Sequence, residues 1–377
     1  MNKIKICHFI IGFHNGGVEK VIENYFAHMD RTKFDLHIVT HIPPDINRQK
    51  TFENMGFQVH QLSPLQGHKI RLKNIEEYRE LFSKNKFDIV HNHFPENLLP
   101  LFFAKKNKVK CRILHSHNDY QTAFSKKSKL TKKLYSLGLK FNISQATHYF
   151  ACGKKAAESV FGKKNIDKVV LVHNAIDTSV FRFDEKNRIK MREQLGLNDA
   201  FVLGHVGRYE ANKQKNQEFI LEIFQAVLKK IPYARLLMIG EGKTRSEIMK
   251  IAENKGILKN IIFTGAVSNV PDYLLAMDVF VFPSLHEGLS VVSIEAQCSG
   301  LPLIASDAVS KESAITNLFS SLSLSDSADK WADEVISKMD IIRRDQSDIV
   351  KQSGYEICEE AKKLQNMYEN MIAEIPS

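Results

Sequence analysis

The stretch VFVFPSLHEGLSVVSIEAQCSGLPLIAS, Val279 to Ser306, decides the architecture of this chain. Val279 to Phe282 is a β-branched and aromatic run that reads as a buried strand, and Pro283 with Ser284 stops it. From Gly288 the period changes. Val291, Val292, Ile294 and Ala296 supply a buried helical face within an expected helix Leu289 to Gln297, Gly300 ends it, and Leu301 to Ala305 reads as the next strand. Two carboxylates sit in this unit. Glu287 occupies the loop at the strand's carboxyl end, and Glu295 follows about two helical turns later, under a quarter turn away on the wheel. In an open parallel sheet, that carboxyl-end crevice is where ligands bind. Taken singly, each acid would read as part of a solvated helix start favoured by the dipole.

The same alternation extends outward in both directions. Ile4 to Ile11, Asp35 to Thr40, Phe57 to Leu62, Asp88 to His91, Cys111 to His115 and Thr147 to Ala151 read as strands. Gly17 to Met29, Asn74 to Ser83, Asn97 to Lys106, Lys129 to Phe141 and Lys154 to Phe161 read as the helices between them. A second cycle follows Val169, with strands at Phe201 to Val206, Arg235 to Ile239 and Ile261 to Thr264 and helices at Asn216 to Lys229, Thr244 to Asn254 and Val270 to Leu275. Such alternation implies parallel sheets with right-handed crossovers. The expected domains are residues 1–175 and 176–354. A closing amphipathic helix over about 355–377 has Ile357, Ala361, Leu364, Met367, Tyr368 and Met371 on one face.

Length and composition bound the function. The 377 residues suffice for two full cores, and no run of eighteen apolar residues reads as a membrane span. The opening MNKIKICHFIIGF reads as a first strand rather than a secretion signal, because Gly12 to Gly17 leads straight into a helix. Five scattered cysteines without a Cys-x-x-Cys pair fit a reducing cytoplasm. The net charge of +10 is uneven: residues 1–182 carry 30 Lys/Arg against 15 Asp/Glu, and the remainder carries 23 against 28. The densest basic run is Lys105, Lys106, Lys108, Lys110 and Arg112, followed by Lys126, Lys127, Lys129, Lys132 and Lys133. A solvated face is the commonest reading of such a run and an anionic membrane surface the next. Nucleic-acid motifs are absent, so no nucleic-acid partner is expected.

Several residues stand where an anionic ligand would need them. Gly12, Gly16 and Gly17, in GFHNGGVEK, lie between the first strand and its helix, where backbone can approach a phosphate; a simple turn is the alternative. Arg208, in GHVGRYEANKQKN, follows a strand end, and Lys215 lies seven residues on, with Lys213 placed to take the same role. His117, in RILHSHND, lies just past another strand end, beside His115. His91 and His93 form a second His-x-His pair, and strand alternation would point both rings of each pair one way. No carboxylate or cysteine at ligand spacing accompanies either pair, and the chain has no Asp-x-Asp, so no metal site and no cofactor are expected. Hydrolase and P-loop readings fail for want of Gly-x-Ser-x-Gly and Walker motifs.

The Glu-x7-Glu element, with Pro283, Ser284, Gly288, Gly300 and Pro302 around it, resembles that of retaining glycosyltransferase family 4. The Gly-Gly loop, HSHND, ACGKKA, HNAID, VGR with its KN pair, and the GEG turn extend the resemblance over nearly the whole chain. It is closest in flavour to bacterial capsular, exopolysaccharide and lipopolysaccharide enzymes. The resemblance implies a GT-B fold, an α/β pair of Rossmann-like domains facing a central cleft, with the last helix returning to the first domain. It implies transfer of a sugar from a nucleotide sugar, most simply a UDP-sugar, to a hydroxyl of a glycan or lipid-linked glycan. The enzyme would be cytoplasmic, with the basic first domain against the inner membrane face. Arg208, Lys215, Gly16, Gly17 and the amides of Gly288 and Leu289 would hold the donor diphosphate without a metal. Glu295 would hold the ribose, Glu287 the transferred sugar, and His117 would face the sugar and its phosphate. Two other classes stay open: a non-hydrolysing nucleotide-sugar epimerase, and a non-catalytic binding protein of a glycan-assembly complex.

Overall fold

The computed structural model describes residues 3–13, 17–43, 46–65, 71–118, 120, 128–287 and 289–374. The chain divides into two compact units, Met1–Ala175 with Ile357–Ser377, and Ile176–Glu356. Each is built on a parallel sheet.

The first unit carries β1 (Ile4–Phe9), β2 (Phe34–Thr40), β3 (Phe57–Gln61), β4 (Ile89–Asn92), β5 (Cys111–Ser116), β6 (His148–Ala151) and β7 (Val169–Leu171) in the spatial order β3-β2-β1-β4-β5-β6-β7. Both faces are covered, so the central strands are apolar nearly throughout. Ile6, Ile38, Ile89 and Ile113 form one fully buried layer beneath Phe26 and Phe150. The closing helix, Ile357–Ala373, completes this core with Ile357, Ala361, Leu364 and Tyr368. It begins two residues later than the sequence suggests. Gly354 has φ 81°, a left-handed conformation that breaks the preceding turn.

The second unit carries β8 (Val202–Val206), β9 (Arg235–Ile239), β10 (Ile261–Gly265), β11 (Val279–Phe282), β12 (Leu303–Ser306) and β13 (Phe319–Leu322) in the order β10-β9-β8-β11-β12-β13. Asp278, just ahead of β11, gathers three donors: Arg188 through one oxygen, Arg192 at 3.1 Å and the Val202 amide at 2.7 Å through the other. That cluster ties the Glu185–Leu195 helix to two strands.

Besides the one-turn helices Thr178–Phe181 and Ser347–Val350, three further elements depart from the sequence expectation. The helices Ile46–Asn54 and Glu185–Leu195 and the strand β13 were not anticipated. The two helices are almost wholly polar, burying Phe52 in one and Met191 with Arg192 in the other, so neither presents an apolar stripe. β13, FSSL, is a polar edge strand. In addition, the helix after β11 spans Val291–Cys298 rather than starting at Leu289, because Ser290 is still extended at ψ 117°.

The strand orders locate the sites. The strands stay parallel, but the direction in which successive strands are added reverses at β1/β4 in the first sheet and at β8/β11 in the second. The carboxyl ends at such a switch point leave a crevice that the crossovers do not fill.

Candidate functional site

At the second unit's switch point, β8 ends at Val206 and continues as Gly207-Arg208. A glycine is needed at 207, because a Cβ there would lie 2.8 Å from His205 Nε2 and 2.9 Å from Lys215 Cγ. The GEG turn backs onto this segment. Gly240, at φ 136°, would place a Cβ 2.1 Å from the Gly207 carbonyl oxygen, so only glycine lets the two backbones meet.

Lys215 and Glu287 come together from opposite sides of the switch point. Lys215 Nζ lies 2.7 Å from Glu287 Oε1 and 4.7 Å above the Phe282 ring, and the two side chains are only 20% and 10% exposed. Asn216, left-handed at φ 53°, sends its amide to the Pro283 carbonyl at 3.1 Å. Gln214 donates to the His286 carbonyl at 2.9 Å and lies 3.3 Å from Glu287 Oε1. The lysine loop is thereby laced to the loop after β11. Lys213 turns away to Glu218 on the exposed side. Between the two candidate lysines, the geometry puts Lys215 in the crevice. Arg208 is half exposed and pairs with Glu210 at 3.0 Å.

Glu295 lies on the Val291–Cys298 helix, partly exposed, and Leu289 and Ser290 are buried just ahead of it. Gly17 opens the Gly17–Ala27 helix, where a Cβ would meet nothing within 4 Å. Gly16 and Gly288 fall outside the described residues.

His117 is buried at the carboxyl end of β5 in the first unit, part of a cluster that the sequence reading misses. The two His-x-His pairs do point one way, and β1 adds His8 beside them. Ring nitrogens lie 2.9 Å apart between His8 and His93, 2.8 Å between His93 and His117, and 3.0 Å between His91 and His115. His91 stacks on His93 with centroids 4.0 Å apart, and His115 lies tilted by 32° against His117 at 3.9 Å. Burial pushes His8 and His117 down to about 3 and holds His91, His93 and His115 well below the usual imidazole range, so all five are neutral. The two pairs do not stand apart: His8–His91–His93 and His93–His115–His117 each bring three ring nitrogens within 4.8 Å of one another, an arrangement that could hold a metal ion. The period-2 pattern along β1 was the signal that could have added His8.

Comparison with known proteins follows this geometry. Residues 15–180 match the family described as Glycosyltransferase Family 4, and residues 200–340 match Glycosyl transferases group 1. The putative glycosyltransferase EpsF of Bacillus subtilis is 28% identical over 97% of this chain and 96% of its own length. The Escherichia coli UDP-Gal:alpha-D-GlcNAc-diphosphoundecaprenol alpha-1,3-galactosyltransferase is 25% identical over 84% of this chain and 83% of its own. Among solved structures, Anabaena HepE in complex with UDP and glucose superposes with a TM-score of 0.77 at 15% identity, covering 97% of this chain and 100% of that one. Two family matches meeting near the boundary of two Rossmann-like units, together with a relative aligned over almost the full length, make this chain a glycosyltransferase of family 4 with the GT-B fold.

Proposed function

We propose that this glycosyltransferase is a retaining enzyme of cell-surface polysaccharide biosynthesis that moves a sugar from a UDP-sugar to a hydroxyl of a lipid-linked glycan, with no metal ion. The observation that carries the reading is Lys215 held at the β8/β11 crevice by Glu287. A low-dielectric cation fixed before the donor arrives stabilises the charge that develops on a departing diphosphate. Arg208 supplies a second cation once the diphosphate displaces Glu210, and Glu295 accepts from the ribose hydroxyls. Glu287, already engaged with Lys215, holds sugar hydroxyls and is poorly placed to act as a covalent nucleophile. The acceptor oxygen bonds to the anomeric carbon on the face that the nucleotide leaves, the bond to the β-phosphate oxygen breaks, and that phosphate takes the acceptor's proton. The ring nitrogens between β1, β4 and β5 are already engaged with one another in hydrogen bonds, which supports the metal-free reading. The UDP-linked donor and diphosphoundecaprenol acceptor in the name of the Escherichia coli relative support both substrate classes.

Thermal shift and transfer assays on Glu295→Ala and Arg208→Ala test the site. Each variant is expected to lose the stabilisation that UDP confers and at least tenfold in transfer. Retention of both properties in both variants would remove these residues from the donor site. Incubating the native protein with donor alone decides the class, because a change in the sugar without acceptor would make it an epimerase.

A membrane-borne acceptor fits one further feature, on the first unit. Leu130, Leu134 and Leu137 on the Lys129–Gln145 helix are 68%, 61% and 53% exposed, and Phe141 and Phe102 extend the patch with ring centroids 6.3 Å apart. Positions i, i+4, i+7 and i+11 fall on one helical stripe. Exposed Lys129, Lys133 and Lys140 flank it. No helix among the described residues is long and apolar enough to cross a membrane. An apolar stripe edged with lysine suits in-plane contact with an anionic bilayer. Co-sedimentation with vesicles rich in phosphatidylglycerol is expected to fall at least fivefold in Leu134→Glu/Leu137→Glu and with added salt. Equal binding to neutral vesicles, or to both proteins, would refute it.

A further inference from the structure

The five buried imidazoles form two hydrogen-bonded rows, and the rows end differently. In one, His115 Nδ1 meets His91 Nε2, and His91 Nδ1 meets the Tyr368 hydroxyl at 2.8 Å. A hydroxyl can donate or accept, so that end tolerates either proton arrangement, while His115 Nε2 at the other end is buried and without a hydrogen-bond partner among the described residues. In the other, His117 Nε2 meets His93 Nδ1, and His93 Nε2 meets His8 Nδ1. His8 Nε2 ends that row, buried and without a hydrogen-bond partner among the described residues.

A neutral imidazole has one N–H and one lone pair, and each contact between rings takes one proton. The three-ring row therefore has only two self-consistent arrangements. Either all three rings carry the proton on Nδ1, so that His117 offers an outward donor, or all three carry it on Nε2, so that His117 offers an outward lone pair. No ring can switch alone without setting two protons, or two lone pairs, against each other. The choice is made where the arrangements differ in solvation, which is the unpartnered nitrogen of His8. A buried donor and a buried acceptor left without partners cost different amounts.

We infer that His8 and His93 are positioning residues that fix the tautomer of His117, and with it whether His117 donates to or accepts from the donor sugar and phosphate. This deepens the proposed reaction and rests on His117 facing the donor. The row supplies no charge. It presents one preset hydrogen-bond polarity at the carboxyl end of β5, so no proton need be rearranged when substrate binds.

The test is spectroscopic and uses the full chain with 15N in its imidazoles. Long-range 1H–15N correlations distinguish the Nδ1–H and Nε2–H forms at neutral pH. His8, His93 and His117 are expected to share one tautomer, each more than about nine-tenths in that form. In His8→Asn, whose amide can either donate to or accept from the same His93 nitrogen, His117 is expected to show averaged shifts, and kcat to fall roughly five- to tenfold with the donor KM within about twofold. His8→Leu, which leaves His93 Nε2 as the row's unpartnered end, is expected to keep His93 and His117 in one shared tautomer and to retain most of the rate. Opposite tautomers within the native row would overturn the inference, as would a His117 signal unmoved by His8→Asn in a folded protein. The native measurement requires no variant to fold. Failure of the underlying reading looks different: His117→Ala would then transfer sugar normally while His8 and His93 in the native protein still shared a tautomer.

Discussion

Acidification from pH 7 to pH 5 is expected to unfold the first unit before the second. The cause is the histidine cluster at the carboxyl ends of β1, β4 and β5. His8 and His117 sit at about 3 in the folded protein, because burial removes the water that would solvate their charged forms, whereas an unfolded histidine titrates near 6.5. With the folded value depressed, the unfolded chain takes up protons that the folded one refuses. Stability is complete above 6.5 and is lost as pH falls toward 3. At pH 5 each such ring costs about 2 kcal/mol, and His91, His93 and His115 are pushed the same way. His8 and His117 alone at that cost take away a large share of the roughly 5–15 kcal/mol by which a folded domain is stable. The second unit contains one fully buried ring of this kind, His205, also at about 3. It also contains the chain's one tryptophan, Trp331, so fluorescence reports on it separately. Circular dichroism should begin to fall between pH 6 and 5 while Trp331 emission is still native. A chain that keeps its full ellipticity at pH 4.5 would show that the rings are neither as dry nor as neutral as their packing indicates.

Replacing Lys215 with alanine should lower transfer by about 10²- to 10³-fold, the scale on which a preorganised charge at the leaving group acts. The same change at Lys213 should leave the rate within about twofold, since that side chain is exposed on Glu218 and surface pairs of this kind contribute little. Lys215→Ala also strips Glu287 of its counter-charge at 2.7 Å, at a cost of about 1–3 kcal/mol in stability for a carboxylate only 10% exposed. The loss of rate should persist at saturating donor. An effect confined to KM would mean that Lys215 merely helps to bind the ground state. Equal losses at both lysines would displace Lys215 from its assigned role.

Much of the fold was legible because its elements are buried on the faces that periodicity reports. β11, the helix after it and β12 were readable from VFVF, the apolar face within VVSIEA and LPLIAS. The Ile46–Asn54 and Glu185–Leu195 helices escaped for the opposite reason, since they lie on the surface and bury too little to mark a face. At the site, the sequence could nominate Lys213 and Lys215 alike. Only the left-handed turns at Lys213 and Asn216 decide which of the two meets Glu287. Gln214, between them, carried no motif at all. The histidine pairs were visible, but their union needed β1 beside β4, a register in which His8 faces His91 across strands 83 residues apart.

The Ile357–Ala373 helix has a consequence for biogenesis. Tyr368, fully buried between Phe26 and Phe34 and bonded to His91, closes a core whose other parts were translated before the whole Ile176–Glu356 segment. The amino-terminal part emerges first from the ribosome yet cannot finish its interior until the Ile357–Ala373 helix has been made. The intervening Ile176–Glu356 segment, continuous in sequence, can settle on its own in the meantime. Nascent chains therefore pass through a stage in which the earlier-made half is the less mature one, with a greasy trough waiting for its last seventeen-residue strap. Chaperones that shield such surfaces would be engaged by the front of this protein longer than by its middle.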